Sequence, residues 1–92
     1  MLEIASVYIL KTNGKKQYYI GSTTDLVRRL NEHKGGKVAS TKPYLPVELV
    51  FNQKCSSYAE ARALERKLKQ FKRKDYIEQI IKDGKIRFFS PP

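Results

Sequence analysis

The chain has one cysteine, one histidine and no tryptophan among its 92 residues, and these shortages narrow the field. Cys55 is alone and cannot close an internal disulfide, so a reduced, cytoplasmic protein is expected. One cysteine and the single His33 also exclude a closed structural zinc site of the usual Cys/His kind. No uncharged apolar run approaches the roughly 18 residues of a membrane span, so no membrane role is expected. Met1-Leu2-Glu3-Ile4 lacks the basic start and apolar stretch of a secretory leader, and none is expected. Acidic residues are scarce as well, 9 against 19 Lys and Arg.

That imbalance leaves a formal charge of +10 on a small body, which attracts polyanions, chiefly nucleic acid. A surface tuned for solubility, or a ribosomal or membrane-surface protein, would also be basic. Hydrophobic residues make up 40%, with six tyrosines and four phenylalanines, enough for one small core. A chain of this length buries only about 60–65% of its unfolded surface, so a single domain over residues 1–92 is expected.

Asn13-Gly14 lies between the apolar runs Val7-Tyr8-Ile9-Leu10 and Tyr18-Tyr19-Ile20-Gly21, a strong hairpin signal because both residues tolerate the positive φ of a type I′ turn. A two-residue loop pairs Thr12 with Lys15, places Tyr8 directly opposite Tyr19, and sets Ser6 opposite Gly21. Ser6, Leu10, Gln17 and Gly21 then share the tyrosine face, with Val7, Ile9, Tyr18 and Ile20 on the other. The hairpin spans approximately residues 4–11 and 16–22.

Ser22, Thr23 and Thr24 offer N-cap oxygens for a following helix, with Asp25 in its first turn. Leu26, Val27 and Leu30 form its apolar face, Gly35-Gly36 ends it, and Arg29 and His33 emerge at the edge of the buried stripe. After a polar connection, Pro46 opens a third strand in Val47-Glu48-Leu49-Val50-Phe51. Ser57-Tyr58-Ala59-Glu60 is a capping box for a helix with Ala61, Leu64, Leu68 and Phe71 on one face. A further helix starts from Asp75, carries Ile77, Ile80 and Ile81, and stops at Asp83-Gly84. The tail Lys85-Ile86-Arg87-Phe88-Phe89 is apolar enough to pack as an extended segment. The order is β-β-α-β-α-α, an α+β fold in which helices pack on a three-stranded antiparallel sheet.

Chemistry concentrates in few places. Two phenols on one face of a hairpin, followed at once by a helix bearing Arg29 and His33, mark a candidate reaction centre. Downstream, Arg62, Arg66, Lys67, Lys69, Lys72, Arg73 and Lys74 form a basic belt whose one acid is Glu65. On a helix Glu65 stands about 100° from Leu64 and about 60° from Leu68, at the margin of the apolar face. It can pair with Lys69 at i,i+4, or hold a hard divalent cation beside a bound phosphate. The bland readings are packing for the tyrosines, a surface charge for Arg29 and a helix C-cap for His33.

Val7-Tyr8-Ile9, Tyr19-Ile20-Gly21, Arg29, His33 and Glu65 in that order resemble the GIY-YIG endonuclease domain, closest to its small stand-alone members. The resemblance runs from about Ser6 to Lys69, leaving 70–92 as a C-terminal helix and tail. It implies hydrolysis of nucleic-acid phosphodiesters dependent on Mg²⁺ or Mn²⁺. It matches Tyr8, Tyr19, Arg29 and His33 to the motif positions and Glu65 to the metal-binding glutamate. Tyr8 is favoured as the base, with Tyr19 and His33 positioning and relaying protons. Ser6 stands in place of the first motif glycine, and Asp75-Tyr76-Ile77-Glu78 replaces an asparagine that some members carry. The expected substrate is DNA ahead of RNA, weakly specific or selected by shape, with DNA repair or recombination as the implied setting. A protein partner would supply further specificity, and the chain would be a monomer or weak dimer. The rival reading is a basic nucleic-acid-binding module that keeps the fold without catalysis.

Overall fold

The computed structural model describes residues 4–13, 17–71 and 74–86. Strands β1 (Ala5–Lys11), β2 (Tyr18–Thr23) and β3 (Glu48–Cys55) form one antiparallel sheet in the order β2-β1-β3. Helix α1 (Leu26–Lys34) follows the hairpin, while α2 (Tyr58–Phe71) and α3 (Lys74–Asp83) follow β3. The predicted element order and fold class hold. A short 3₁₀ turn, Lys42–Tyr44, with Pro43 in it, lies in the connection before β3.

β1 is the centre of the molecule, and residues 5–10 are buried on both faces. Val7 and Ile9 join Phe51, Ala61, Leu64, Leu68, Ile77 and Ile80 in the larger core, with Tyr18 and Ile20 packed against it. Tyr8 and Leu10 face the opposite way, into a smaller cluster with Val47, Tyr19, Leu26 and Leu30. The sheet therefore separates α2 and α3 from α1, and the tyrosine face belongs to the α1 side.

The register differs from the sequence expectation by two residues. Tyr8 faces Gly21, Leu10 faces Tyr19, and Ser6 faces Thr23. The hairpin closes where the Thr12 N–H donates to the Gln17 carbonyl at 2.8 Å, not at a Thr12–Lys15 pair. Gly14 and Lys15 themselves lie outside the described residues. Two constraints override the Asn-Gly signal. The Asn13 N–H donates to the Tyr44 carbonyl at 2.8 Å, tying that corner to the connection before β3. Tyr8 also needs a glycine opposite: a Cβ on Gly21 would sit 2.5 Å from its hydroxyl oxygen and 2.6 Å from Cζ. A slip of two residues keeps every side chain on its face, so the two tyrosines still share one.

Several local expectations are corrected. The N-cap of α1 is Asp25, whose carboxylate accepts the Arg28 N–H at 3.1 Å. Thr23 Oγ1 accepts the Asp25 N–H at 3.0 Å, while Ser22 does not cap and points to α2. Val27 is 73% exposed, so the apolar face of α1 is Leu26 and Leu30 alone. β3 begins at Glu48 and runs on through Asn52 to Cys55, an edge strand whose polar side faces water. In the capping box of α2, Ser57 Oγ accepts the Glu60 N–H at 3.0 Å, but Glu60 returns to the Ser56 N–H at 2.9 Å. α3 starts at Lys74, so Asp75 lies within its first turn. Ile86 is buried against the larger core as expected of the tail; Arg87, Phe88, Phe89 and the Phe71 side chain lie outside the described residues.

Candidate active site

Gly21 opens a passage over the edge strand β2, and the Tyr8 ring lies across it toward α1. The Tyr8 hydroxyl is 2.9 Å from His33 Nε2. Tyr19 leans on both rings, with centroids 6.4 Å from Tyr8 and 5.0 Å from His33, the latter edge to face. Such arrangements fix ring orientation beyond what burial alone provides.

His33 is fully buried rather than at the margin of α1, because the connection after Gly35-Gly36 folds over it. Gly36 takes φ 75°, and the Thr41 and Lys42 N–H groups both bond the Val38 carbonyl, which brings Thr41 down onto the imidazole. Thr41 Oγ1 is 2.8 Å from His33 Nδ1, so both ring nitrogens are engaged within the protein. The C-cap role for the His33 side chain is thereby displaced.

Arg29 sits one turn before His33, its side chain about one-third exposed, with Nη1 donating to Glu32 Oε1 at 3.0 Å. Its guanidinium also lies beside the Tyr8 phenol, and the two groups perturb each other. Burial pushes the Tyr8 phenol up to about 12, against the lowering effect of Arg29 and with smaller upward contributions from Tyr19 and Glu65. His33 is shifted below the ordinary histidine value, first by burial and then by Arg29, with Glu32 opposing. Both groups are therefore neutral near pH 7, a hydrogen-bonded acid and base awaiting a proton.

Glu65 approaches the same strand from α2. The Ser22 hydroxyl donates to Oε1 at 2.5 Å, and Lys69 Nζ donates to Oε2 at 2.6 Å. The i,i+4 pair with Lys69 is thus present, and it coexists with a contact to the sheet that an ordinary surface pair lacks. Among the described residues no cluster of three or more His, Cys, Asp or Glu that could hold a metal ion exists. The centre straddles β2 at Gly21 and Ser22: phenol, imidazole and guanidinium on one side, carboxylate on the other.

Sequence reasoning missed Ser22 and Thr41 as members of this centre. Strand alternation points Ser22 toward α2, which could have linked it to the helix face bearing Glu65. Thr41 sits in an irregular connection with no periodicity to reveal it. The basic belt is exposed at Arg62, Arg66, Lys67, Lys69 and Lys74, whereas Lys72 and Arg73 lie outside the described residues. Arg62 stacks over the Tyr58 ring at 5.9 Å. Tyr58, Arg62, Arg66 and Lys69 follow helical spacing and form a stripe running past Glu65.

Residues 4–78 match the GIY-YIG catalytic domain, a nuclease fold. The chain belongs to the GIY-YIG family. It is 44% identical over 84 residues to a UPF0213 protein of Streptococcus pneumoniae, spanning 90% of this chain and 83% of that one. It is 39% identical to UPF0213 protein SAG0778 of Streptococcus agalactiae, over 82% of this chain and 89% of the relative. UPF0213 protein YazA of Bacillus subtilis is 38% identical over 78% of this chain and 76% of its own length. No solved structure matches the chain.

Proposed function

We propose that the chain is a divalent-metal-dependent endonuclease that hydrolyses nucleic-acid phosphodiesters. The Tyr8 oxygen carries this reading: it is buried, 2.9 Å from the Nε2 of an imidazole whose burial favours its neutral form, near a guanidinium and within the electrostatic reach of Glu65. With the phenol near 12, a free phenolate is scarce at neutral pH. Concerted transfer avoids that state. A water held between the Tyr8 oxygen and phosphorus gives its proton to Tyr8 as Tyr8 gives its own to His33 Nε2. The water oxygen bonds to phosphorus, the ester oxygen leaves with the electron pair of the broken bond and is protonated from solvent, and His33 is left as imidazolium.

Arg29 grips the phosphate through its planar fork, which also neutralises charge building on the equatorial oxygens. Tyr19 holds the imidazole edge-on and orients the water. Glu65 is the residue that would hold Mg²⁺ or Mn²⁺. Its donor set fits: a carboxylate and the Ser22 hydroxyl are hard oxygen ligands, and the Lys69 ammonium at 2.6 Å already shows positive charge accommodated there. When bound, such an ion supplies charge neutralisation at the phosphate and the departing oxygen. The basic stripe of α2 follows the backbone without reading bases, so selection falls to substrate shape or to a protein partner.

DNA is the proposed substrate ahead of RNA, in cytoplasmic repair or recombination, with the protein acting as a monomer or weak dimer. The test is a cleavage screen on single-stranded, duplex, flap and RNA substrates with Mg²⁺, Mn²⁺ or EDTA. Metal-dependent internal scission supports the reading. Binding that weakens steeply with salt, with no scission on any substrate, would favour a binding module instead.

A further inference from the structure

The hydrogen bonds through His33 form a chain whose direction is set by its ends. At one end the Arg29 guanidinium, beside the Tyr8 oxygen, can only donate. At the other, the Thr41 hydroxyl lies 3.5 Å from the Val38 carbonyl, which can only accept. Between them stand Tyr8 Oη to His33 Nε2 at 2.9 Å and His33 Nδ1 to Thr41 Oγ1 at 2.8 Å. Run in one direction, Tyr8 donates to Nε2, Nδ1 to Thr41 and Thr41 to Val38, and the phenol oxygen keeps its lone pairs toward the nearby Arg29 guanidinium. Run in the other, Nε2–H and the guanidinium both point at the phenol oxygen, and the phenol's own hydrogen is turned away from the imidazole. His33 and Thr41 are both fully buried, so water does not relieve the mismatch cheaply.

We infer that Thr41 is a positioning residue that fixes the proton of His33 on Nδ1 and leaves the Nε2 lone pair facing the Tyr8 hydroxyl. Its use depends on the nuclease reading, because a relay from Tyr8 needs Nε2 as an acceptor; the tautomer itself does not. The role follows from the local backbone. Gly36 at φ 75° turns the chain back, the bonds from the Thr41 and Lys42 N–H groups to the Val38 carbonyl close a tight turn, and Thr41 at the end of that turn meets the ring. A hydroxyl can donate or accept, but with its own hydrogen directed to the Val38 carbonyl Thr41 faces Nδ1 as an acceptor, and the tautomer follows as it does beside a backbone carbonyl.

His33 is the chain's one histidine, so the ring nitrogens of ¹⁵N-labelled protein can be read without assignment ambiguity. Long-range ¹H–¹⁵N correlation spectra at about pH 8, where a histidine with an unperturbed or lowered pKa is neutral, report the protonated nitrogen directly. The wild type is expected to show Nδ1–H. Thr41→Val, of similar volume but without the hydroxyl, should shift the population to Nε2–H and lower cleavage at least about tenfold, while Thr41→Ser should restore both. An Nε2–H wild type, or Thr41→Val that keeps Nδ1–H, would overturn the assignment. If Thr41→Val does not fold, the wild-type and Thr41→Ser spectra decide: Nδ1–H in both supports it, and Nε2–H in either overturns it. An Nδ1–H wild type that cleaves no substrate would overturn the nuclease reading and leave the tautomer assignment standing.

Discussion

Gly21 lies directly across from Tyr8, and its missing side chain is what lets the phenol cross β2 to meet His33. Gly21→Ala would place a methyl 2.5 Å from the hydroxyl oxygen and 2.6 Å from Cζ, and the ring is only 1% exposed, with little room to yield. Overpacking of this kind costs about 1–3 kcal/mol. The ring must also turn away from the imidazole, so cleavage should fall by about 100-fold or more, beyond what the stability loss explains. Urea unfolding with single-turnover cleavage checks this. Near-normal cleavage by a folded Gly21→Ala protein would mean that the Tyr8–His33 contact is dispensable.

Arg29 gives a more selective test. Its visible partner is Glu32 on a partly exposed surface, a pair worth less than about 1 kcal/mol to stability. Arg29→Lys keeps the charge but loses the fork, so unfolding should barely change while cleavage drops at least about tenfold. Equal turnover in the two proteins would return Arg29 to the status of a surface charge.

The burial of His33 makes stability depend on pH. Its folded pKa lies below the ordinary 6.5, so the neutral ring is favoured in the fold and the unfolded chain binds the proton more readily. The contribution is fully present above 6.5 and is lost as pH falls through the depressed folded value. Tyr8, Tyr19, Arg29, Glu32 and Thr41 surround the ring, and among the charged ones Arg29 outweighs Glu32. The urea midpoint of the wild type should therefore fall between about pH 7.5 and pH 5, and fall less in His33→Gln. Parallel profiles would mean that His33 titrates as an exposed histidine does.

The element order and the shared face of the tyrosines were legible because strand and helix periodicities leave direct traces in residue types. Helical spacing sets Arg29 one turn before His33 and Glu65 at the margin of an apolar stripe, but it puts His33 at the edge of α1, where the structure buries it. Loop length was not legible, since Asn13-Gly14 speaks for a two-residue turn and nothing nearby reveals that Tyr44 captures the Asn13 N–H. Gly21 therefore lies opposite Tyr8 and not opposite Ser6, and the room it leaves is taken by the phenol. Thr41 and Ser22 escaped because their roles are contacts between distant or irregular segments, which no local period encodes.

Glu65 separates catalysis from attraction at a single side chain. Glu65→Gln keeps size and helix propensity while removing the charge that a divalent cation needs. The Lys69 ammonium is half exposed, so losing that pair costs about 1 kcal/mol or less, and the amide oxygen can still accept from the Ser22 hydroxyl, so folding should change little. Freed from its carboxylate, Lys69 adds to the stripe formed by Arg62 and Arg66, and nucleic-acid affinity in EDTA should hold or rise. Cleavage in Mg²⁺ or Mn²⁺ should nevertheless collapse, because charge stabilisation by a bound metal is worth several kcal/mol of a phosphoryl-transfer barrier. Affinity and nicking are measured on the same substrate for both proteins, after matched unfolding curves. Retained nicking by Glu65→Gln would reduce Glu65 to a helix-surface ion pair and remove the proposed metal ligand.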